Sequence, residues 1–288
     1  MFIGLAVAWV AALPDATALR PERMLQQTEL TVDVGLSGLS SSTTRTPTGG
    51  LERDHYETIT TRVRAEVGIT RYLKLELMVP LVDYVRSRSY GLSVTRFGDP
   101  MVGLAAGGTL GTEGVLADLQ VAVFGELYFP TARQIISSPI DPELRLSPRG
   151  IVATTGGVMG LLGAFLGYRY ERDRTGVELS ARGIFRLRSN DASNGAGFDA
   201  RAELRVFTSL LVGFRVDGMF AFGGLGQALI SASRLADSAG WVDVTVIAGW
   251  RFFKGLDVIA AFSAPAHVAA GGYALQGQAL LSWTYIPK

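Results

Sequence analysis

The sequence predicts an all-β fold, a transmembrane antiparallel up-and-down β-barrel of about 12 strands. Three observations predict it. Apolar side chains recur at every second position in segments of about 9 to 11 residues, the length a tilted strand needs to cross a bilayer. The connections between these segments alternate between short and long. The mean hydropathy is +0.27 and only 18% of residues are charged, against about a quarter in a soluble domain.

Composition excludes several other classes. The 288 residues carry a net charge of +1, are 48% hydrophobic and include no Cys. Disorder requires low hydrophobicity with high net charge, and a nucleic-acid binder requires an excess of Lys and Arg. Disulfide scaffolds and thiolate metal or redox sites require cysteine.

The chain opens on an apolar run from Phe2 to Leu13, followed by Ala16-Thr17-Ala18 and then Arg20, Glu22 and Arg23. This is the pattern of an export signal over residues 1–18 with an A-x-A cleavage site, leaving 19–288 as one barrel domain. No Lys or Arg precedes the run, which departs from the usual charged start. A retained N-terminal anchor is the alternative.

The strands follow in order. In the first, Leu30, Val32, Val34 and Leu36 alternate with Glu29, Thr31, Asp33 and Gly35. The second sets Ile59, Val63, Ala65, Val67 and Ile69 opposite Thr58, Thr60, Arg62, Arg64 and Glu66, and the third sets Leu73, Leu75, Leu77, Val79 and Leu81 opposite Lys74, Glu76 and Met78. A weaker fourth spans Asp99 to Gly107. The fifth opposes Leu119, Val121, Val123, Leu127 and Phe129 to Asp118, Gln120 and Glu126. The sixth lies in Ile151 to Glu171, where an uncharged run with Gly156 and Gly160 also admits a transmembrane helix. Its glycines, and the lack of a second span to pair with, favour a strand.

The seventh segment opposes Val177, Leu179, Ala181, Phe185 and Leu187 to Glu178, Ser180, Arg182, Arg186 and Arg188. The eighth opposes Phe198, Ala200, Ala202, Leu204 and Val206 to Asp199, Arg201, Glu203 and Arg205. The ninth sets Val212, Phe214 and Val216 against Arg215 and Asp217, and the tenth sets Val242, Val244, Val246 and Trp250 against Asp243, Thr245 and Arg251. A weak eleventh covers Gly255 to Ser263. The twelfth places Tyr273, Leu275, Leu281, Trp283 and Tyr285 opposite Gln276, Gln278, Ser282 and Thr284.

Short connections are expected at 68–72, 108–114, 172–176, 207–210 and 252–255, and longer polar ones at 37–54, 87–97, 131–149, 189–197, 223–238 and 264–272. Outer-membrane barrels have this rhythm, with short periplasmic turns, long external loops and an even strand number. A soluble β-sandwich also alternates, but lacks the long-short rhythm and keeps its apolar face as a packed interior. Here nearly every polar strand face carries ionisable residues, and a closed barrel pairs every backbone group that hydrocarbon leaves without water. Tyr72, Tyr84, Tyr90, Tyr128, Tyr168, Tyr170, Trp241, Trp250, Phe252, Phe253, Trp283 and Tyr285 fall near predicted strand ends, as aromatic girdles do. The chain departs from the usual terminal aromatic, because Tyr285 is followed by Ile286-Pro287-Lys288.

The stretch Val67-Gly68-Ile69-Thr70-Arg71-Tyr72-Leu73-Lys74-Leu75-Glu76-Leu77-Met78-Val79-Pro80 resembles a hairpin of the meta-pathway phenol-degradation family, porin-like relatives of the fatty-acid transporter type. Phe97-Gly98-Asp99-Pro100 is similar to that family's Gly-Asp strand start. Leu127-Tyr128-Phe129-Pro130-Thr131 is similar to its strand end, with Ala132 where the family has Gly. The resemblance covers roughly residues 56–131. It implies an outer-membrane barrel that passes hydrophobic or aromatic compounds.

The residues between the apolar ones are expected to line the lumen: Arg62, Arg64, Glu66, Glu178, Arg182, Arg186, Arg201, Glu203, Arg205, Arg215 and Asp217. Cross-strand pairs of opposite sign stabilise and pairs of like sign destabilise. Glu178, Arg182 and Arg186 are expected to meet Arg201, Glu203 and Arg205 across neighbouring strands. Such charges either fill a narrow barrel as a structural network or line a pore that favours anionic or polar solutes, and a barrel of about 12 strands permits both.

No enzyme emerges. His55 and His267 both fall at predicted loop edges, and His55 has no Ser at a convincing spacing for a lipase-like pair. No nucleotide-binding glycine motif stands between a strand and a helix. Gly223-Gly224-Leu225-Gly226 reads as a turn, and Asp141 and Glu143 lie between prolines in a solvated loop. The expected function is an outer-membrane channel or uptake protein for small solutes by passive diffusion, in a Gram-negative bacterium. The alternatives are a non-conducting structural or surface-recognition barrel and a membrane enzyme such as a lipase. No cofactor is expected, and the expected partners are the lipid bilayer with its lipopolysaccharide, small-molecule solutes and the barrel-assembly machinery, with no nucleic acid.

Overall fold

A computed structural model describes residues 16–20, 23–45, 52–87, 92–111, 113–116, 118–129, 131, 158–172, 175–188, 194–207, 209–222, 240–253, 255–268 and 272–286. Its strands are β1 (Leu30–Arg45), β2 (Glu52–Thr70), β3 (Leu73–Ser87), β4 (Leu92–Arg96), β5 (Met101–Thr109), β6 (Leu119–Tyr128) and β7 (Met159–Arg172). They continue with β8 (Thr175–Arg188), β9 (Asn194–Val206), β10 (Leu210–Phe222), β11 (Gly240–Phe253), β12 (Leu256–Val268) and β13 (Gly272–Tyr285). Apart from β4 and β5, each pairs antiparallel with its sequence neighbours, and β1 pairs with β13 from Leu30↔Tyr285 upward, which closes the sheet.

β4 and β5 pair in succession with β3, over Asp83–Ser87 and Leu73–Met78 respectively. They act as one broken stave, so the wall is a 12-strand barrel. The break is Phe97-Gly98-Asp99-Pro100. Pro100 lacks a donor for the ladder, and the Asp99 carboxylate instead accepts the Thr131 N–H at 3.0 Å. No helix among the described residues is long and apolar enough to cross a membrane. In the sixth segment Met159–Arg172 is a strand, and 151–157 lie outside the described residues.

Which way the side chains point identifies the solvent. Leu36, Leu77, Leu104, Val123, Leu162, Phe185, Phe214, Val246, Phe262 and Leu281 face outward and are exposed, whereas Asp33, Arg64, Glu66, Lys74, Glu76, Glu126, Arg201, Glu203 and Asp243 are buried inside. In water this arrangement would cost about 25 cal/mol for each Å² of apolar surface left wet. In lipid it costs nothing, and closure leaves no backbone edge. The outward face is therefore a bilayer belt. At the short-turn end it carries Tyr72, Tyr170, Phe207, Trp250, Phe252, Phe253, Trp283 and Tyr285, all exposed, with Arg71 stacked 4.5 Å over the Tyr72 ring.

The turns at this end are tight. Gly255 has φ +93°, and a Cβ there would lie 2.4 Å from the Thr284 carbonyl oxygen, so β11 and β12 join only through glycine. By the rule for such barrels, the short-turn end faces the periplasm.

The expected connections are too long at the other end. β1 continues to Arg45 and β2 starts at Glu52, β4 occupies part of 87–97, β9 starts at Asn194, and β12 runs to Val268. Beyond the bilayer both faces of a strand meet water, so the alternation fades while the hydrogen-bond ladder continues. His55 and His267, expected at loop edges, sit within β2 and β12. The remaining long connections, with Asp141, Glu143 and Gly223–Gly226, lie outside the described residues.

Candidate functional site: the barrel lumen

The inward faces of β1, β2 and β3 form one ionic network. Glu66 on β2 and Glu76 on β3 stand directly opposite, as do Arg64 and Met78. Two carboxylates facing each other repel, and three cations sit among them. Arg64 Nε lies 3.0 Å from Glu66 and its Nη2 donates to Glu76, while Lys74 Nζ reaches Glu76 at 2.7 Å and Glu66 at 3.6 Å. The third cation comes from outside the barrel wall. Arg20 Nε donates to Asp33 at 2.8 Å and its Nη2 pairs with Glu66. Burial opposes the Arg20 charge, but Glu66 and Asp33 outweigh it and hold the guanidinium above its ordinary range. Lys74 is 0% exposed. A buried ammonium persists only when paired, as it is here.

The network ends at Gly103, where a Cβ would come within 3.2 Å of Glu126 Cγ and 3.3 Å of Glu76 Cβ. Glycine thus admits a second carboxylate beside Glu76. The Tyr128 hydroxyl donates to Glu126 at 2.9 Å.

The opposite wall, β8 to β12, stacks its charges in layers. Asp199, Asp217 and Asp243 form one cross-strand row, Arg201 and Arg215 the next, and Glu178 and Glu203 the one after. Attraction therefore runs mainly between layers, although Arg182 stands opposite Asp199 within the first row. Arg215 bonds Asp199 at 2.7 Å and approaches Asp217 at 3.4 Å, and Arg201 pairs with Glu203. Lower down, Arg251 grips Asp257 with two bonds of 2.8 and 3.0 Å, and Arg205 approaches Asp257 at 3.6 Å.

This corrects the expected pairing of the seventh and eighth segments. Glu178 faces Glu203, Ser180 faces Arg201, Arg182 faces Asp199, Gly176 faces Arg205 and Arg186 faces Gly195. Only Arg182 directly meets an opposite charge, because neutralisation occurs along and diagonally between strands. Arg62, Arg64, Glu66, Arg201 and Glu203 are buried inside, and Glu178, Arg182, Arg205, Arg215 and Asp217 are partly exposed on the same inward face. The side chain of Arg186 lies outside the described residues.

The feature that sequence reasoning missed is a segment within the lumen. Residues 16–20 and 23–29 precede β1 and lie inside the barrel. Ala16–Leu19 make a 3-10 turn, and the boundary expected after Ala18 falls within it. Leu19 is 0% exposed and packs with Ala16, Leu211, Ile247, Ile259 and Leu280. Met24 packs on Ala105, Ala122, Phe124, Phe165 and Ile184, and its N–H donates to Gln120 Oε1 at 3.2 Å. Leu25 and Gln26 cross Gly68, where a Cβ would lie 1.9 Å from the Gln26 carbonyl oxygen. Arg23 pairs with Glu29, and Thr28 N–H donates to the Gly68 carbonyl at 2.7 Å.

Two signals pointed to this segment. Arg20 and Arg23 directly follow the apolar run, and Gly35 and Gly68 occupy inward positions where the pattern calls for a polar side chain.

Part of the wall formed by β3 and β5 to β7 is apolar. Met78, Met101, Tyr128 and Met159 fall in one register row across β3, β5, β6 and β7, and the three methionines are buried. Below them the Phe124 ring lies against Gly163, where a Cβ would meet Phe124 Cζ at 2.5 Å, and the Arg182 guanidinium stacks 5.3 Å from that ring. No group of His, Asp or Glu among the described residues could hold a metal ion.

No protein-family model matches the chain, and no curated protein does. Among solved structures, an outer-membrane channel from Pseudomonas putida F1 superposes with a TM-score of 0.65 at 13% identity, covering 92% of this chain and 99% of that one. The NanC porin reaches a TM-score of 0.48 at 6% identity, covering 87% and 98% of the two chains. The translocator domain of the autotransporter NalP from Neisseria meningitidis reaches 0.46 at 11% identity, covering 90% and 89%. The first shows that this chain shares the fold of an outer-membrane barrel.

Proposed function

We propose that this protein is a bacterial outer-membrane channel that passes small solutes by passive diffusion, and that the lumen segment closes it in the state described here. The observation that carries the reading is a lipid-facing belt around an ionisable interior, with a chain segment held in that interior mainly by side-chain contacts. Single-channel recording in planar bilayers tests it. The full chain is expected to conduct little and Arg20→Ala more, because that change removes the ion pairs to Asp33 and Glu66. A barrel that stays silent in both forms refutes it.

The resemblance to the phenol-degradation family supports hydrophobic or aromatic compounds as the solutes, as does the row of methionines above Phe124. Removal of residues 1–18 on export belongs to the same reading, with Leu19 onward remaining in the lumen. N-terminal sequencing of protein from outer membranes tests that boundary. Contact with lipopolysaccharide and delivery by the barrel-assembly machinery follow from the proposed location. The dense pairing of lumen charges favours a second reading, a non-conducting structural or surface-recognition barrel, and the same recording decides between them. A lipase assay on refolded protein tests the enzyme alternative.

A further inference from the structure

The lumen segment joins the barrel through a turn whose backbone is strained. Thr28 has φ +63°, in the left-handed region. A β carbon disfavours that region and a branched one does so most, which is why Gly or Asn is its usual occupant. Such a conformation persists only where its surroundings impose it, and it collects in switch regions.

The surroundings here are specific. The Thr28 N–H donates to the Gly68 carbonyl at 2.7 Å, and the Glu29 N–H donates to the Gln26 carbonyl at 3.0 Å. The second bond closes a β-turn over Gln26, Gln27, Thr28 and Glu29 with its left-handed residue third, as a type II turn requires. The buried Glu29 carboxylate accepts the Gln26 N–H at 2.8 Å and pairs with Arg23, so one side chain at the foot of β1 fastens the turn and the residues before it. Gln26, Gln27 and Thr28 are exposed at the periplasmic end, whereas Met24 and Leu25 are buried. On the other side of Thr28 the chain is fixed. Gly68 N–H donates to the Glu29 carbonyl at 2.9 Å, and Leu30 onward pairs with β2 and β13. A change of φ at Thr28 therefore swings the residues before it and leaves the wall in place.

We propose that Gln26–Glu29 is the hinge of the lumen segment, with Thr28 held left-handed while the segment is docked and relaxed to negative φ on release. The inference rests on the reading of a channel closed by this segment, and adds the pivot and a built-in strain that favours release. Thr28→Asn keeps the N–H and a side-chain donor and suits the left-handed region, so it favours the docked state. Thr28→Pro fixes φ at about −65° and removes the N–H, so it forbids the docked turn. Gln27→Asn is the control, because among the described non-glycine residues only Thr28 and Phe207 have positive φ. Each variant is read by current in planar bilayers. The absence of Cys allows a second reading, the alkylation rate of a single Met24→Cys thiol in the refolded barrel.

In the Arg20→Ala background, Thr28→Asn is expected to lower open probability about threefold or more and to slow alkylation by a similar factor. In the parent, Thr28→Pro is expected to raise both at least as far as Arg20→Ala does. If Thr28→Asn leaves both readings level with Gln27→Asn in a barrel that conducts, the hinge is overturned while the channel stands, and this result decides even where Thr28→Pro does not fold. Alkylation that follows Thr28 in barrels that carry no current upholds the hinge and overturns the channel reading.

Discussion

Replacing Gly68 with Ala tests whether the lumen segment holds the barrel shut. The new Cβ would stand 1.9 Å from the Gln26 carbonyl oxygen, 2.9 Å from its carbon and 3.2 Å from Leu25 Cβ. Two of these atoms are backbone, so no rotamer change relieves the overlap and the segment must lift. Lifting uncovers Leu25, which is 2% exposed, and returning a buried Leu to water costs about 1.5–3 kcal/mol. Each 1.4 kcal/mol is about tenfold in an equilibrium, so the docked-to-free ratio falls between roughly tenfold and a hundredfold. Single-channel recording should show a matching rise in open probability. Gly277→Ala is the control, since a Cβ there meets nothing within 4 Å. Equal open probability in Gly68→Ala, Gly277→Ala and the parent would refute the claim that the segment occludes the path.

Three further outcomes follow from the same contacts. Lys74→Ala removes the cation shared by Glu66 and Glu76, and breaking a buried pair should cost about 3–5 kcal/mol in a urea unfolding titration; Lys74→Met, which keeps the volume, should cost as much if the charge is what matters. Leu77→Arg on the lipid face should cost about 2–4 kcal/mol if that position lies near the bilayer midplane, and a negligible change in lipid refolding would reverse the assigned facing. Gly163→Ala would place a Cβ 2.3 Å from the Gly183 carbonyl oxygen and 2.5 Å from Phe124 Cζ, so it should both strain the β7–β8 ladder and displace the Phe124 ring, and an unchanged near-ultraviolet dichroism spectrum would show that the ring does not rest on Gly163.

Much of the wall was legible because lipid imposes a simple rule on strands. Leu77 and Glu76 are neighbours in sequence and face opposite solvents, and a period of two reports that without knowledge of partners. The broken stave was half legible. Phe97-Gly98-Asp99-Pro100 marked an interruption, but Leu92–Arg96 is too short and too far outside the bilayer to show alternation. The register of the eighth and ninth strands was illegible, because Glu178 and Arg205 carry no mark of which residue stands opposite. Turn length and bulges decide that, and they set Glu178 against Glu203. The lumen segment escaped for another reason. Periodicity detects regular elements, and Arg20, Met24 and Leu25 hold their places through tertiary contacts in a stretch with no period at all.

Opening this barrel by moving its wall would be costly. Every strand except the short β4, which pairs with β3, is hydrogen-bonded on both sides around the ring, and a backbone group left without a partner in hydrocarbon costs several kcal/mol. The lumen segment is held differently. Among the described residues, the backbone–backbone bonds that tie it to the wall are those around Gly68, given by Thr28 N–H to the Gly68 carbonyl and by Gly68 N–H to the Glu29 carbonyl, and the rest of its hold comes from Leu19, Met24, Leu25 and the Arg20 ion pairs. Once it lifts, Asp33 and Glu66 are rehydrated from the lumen and not stranded in lipid, so the cost of separating them from Arg20 falls toward that of a solvated pair, about 0–1 kcal/mol. The apolar contacts then set the barrier. Leu19→Ala should therefore raise open probability at least as much as Arg20→Ala does, and high salt, which screens only the charges, should change the Leu19→Ala channel little. A current that tracked ionic strength and ignored Leu19 would place the latch in the ion pairs and overturn this order.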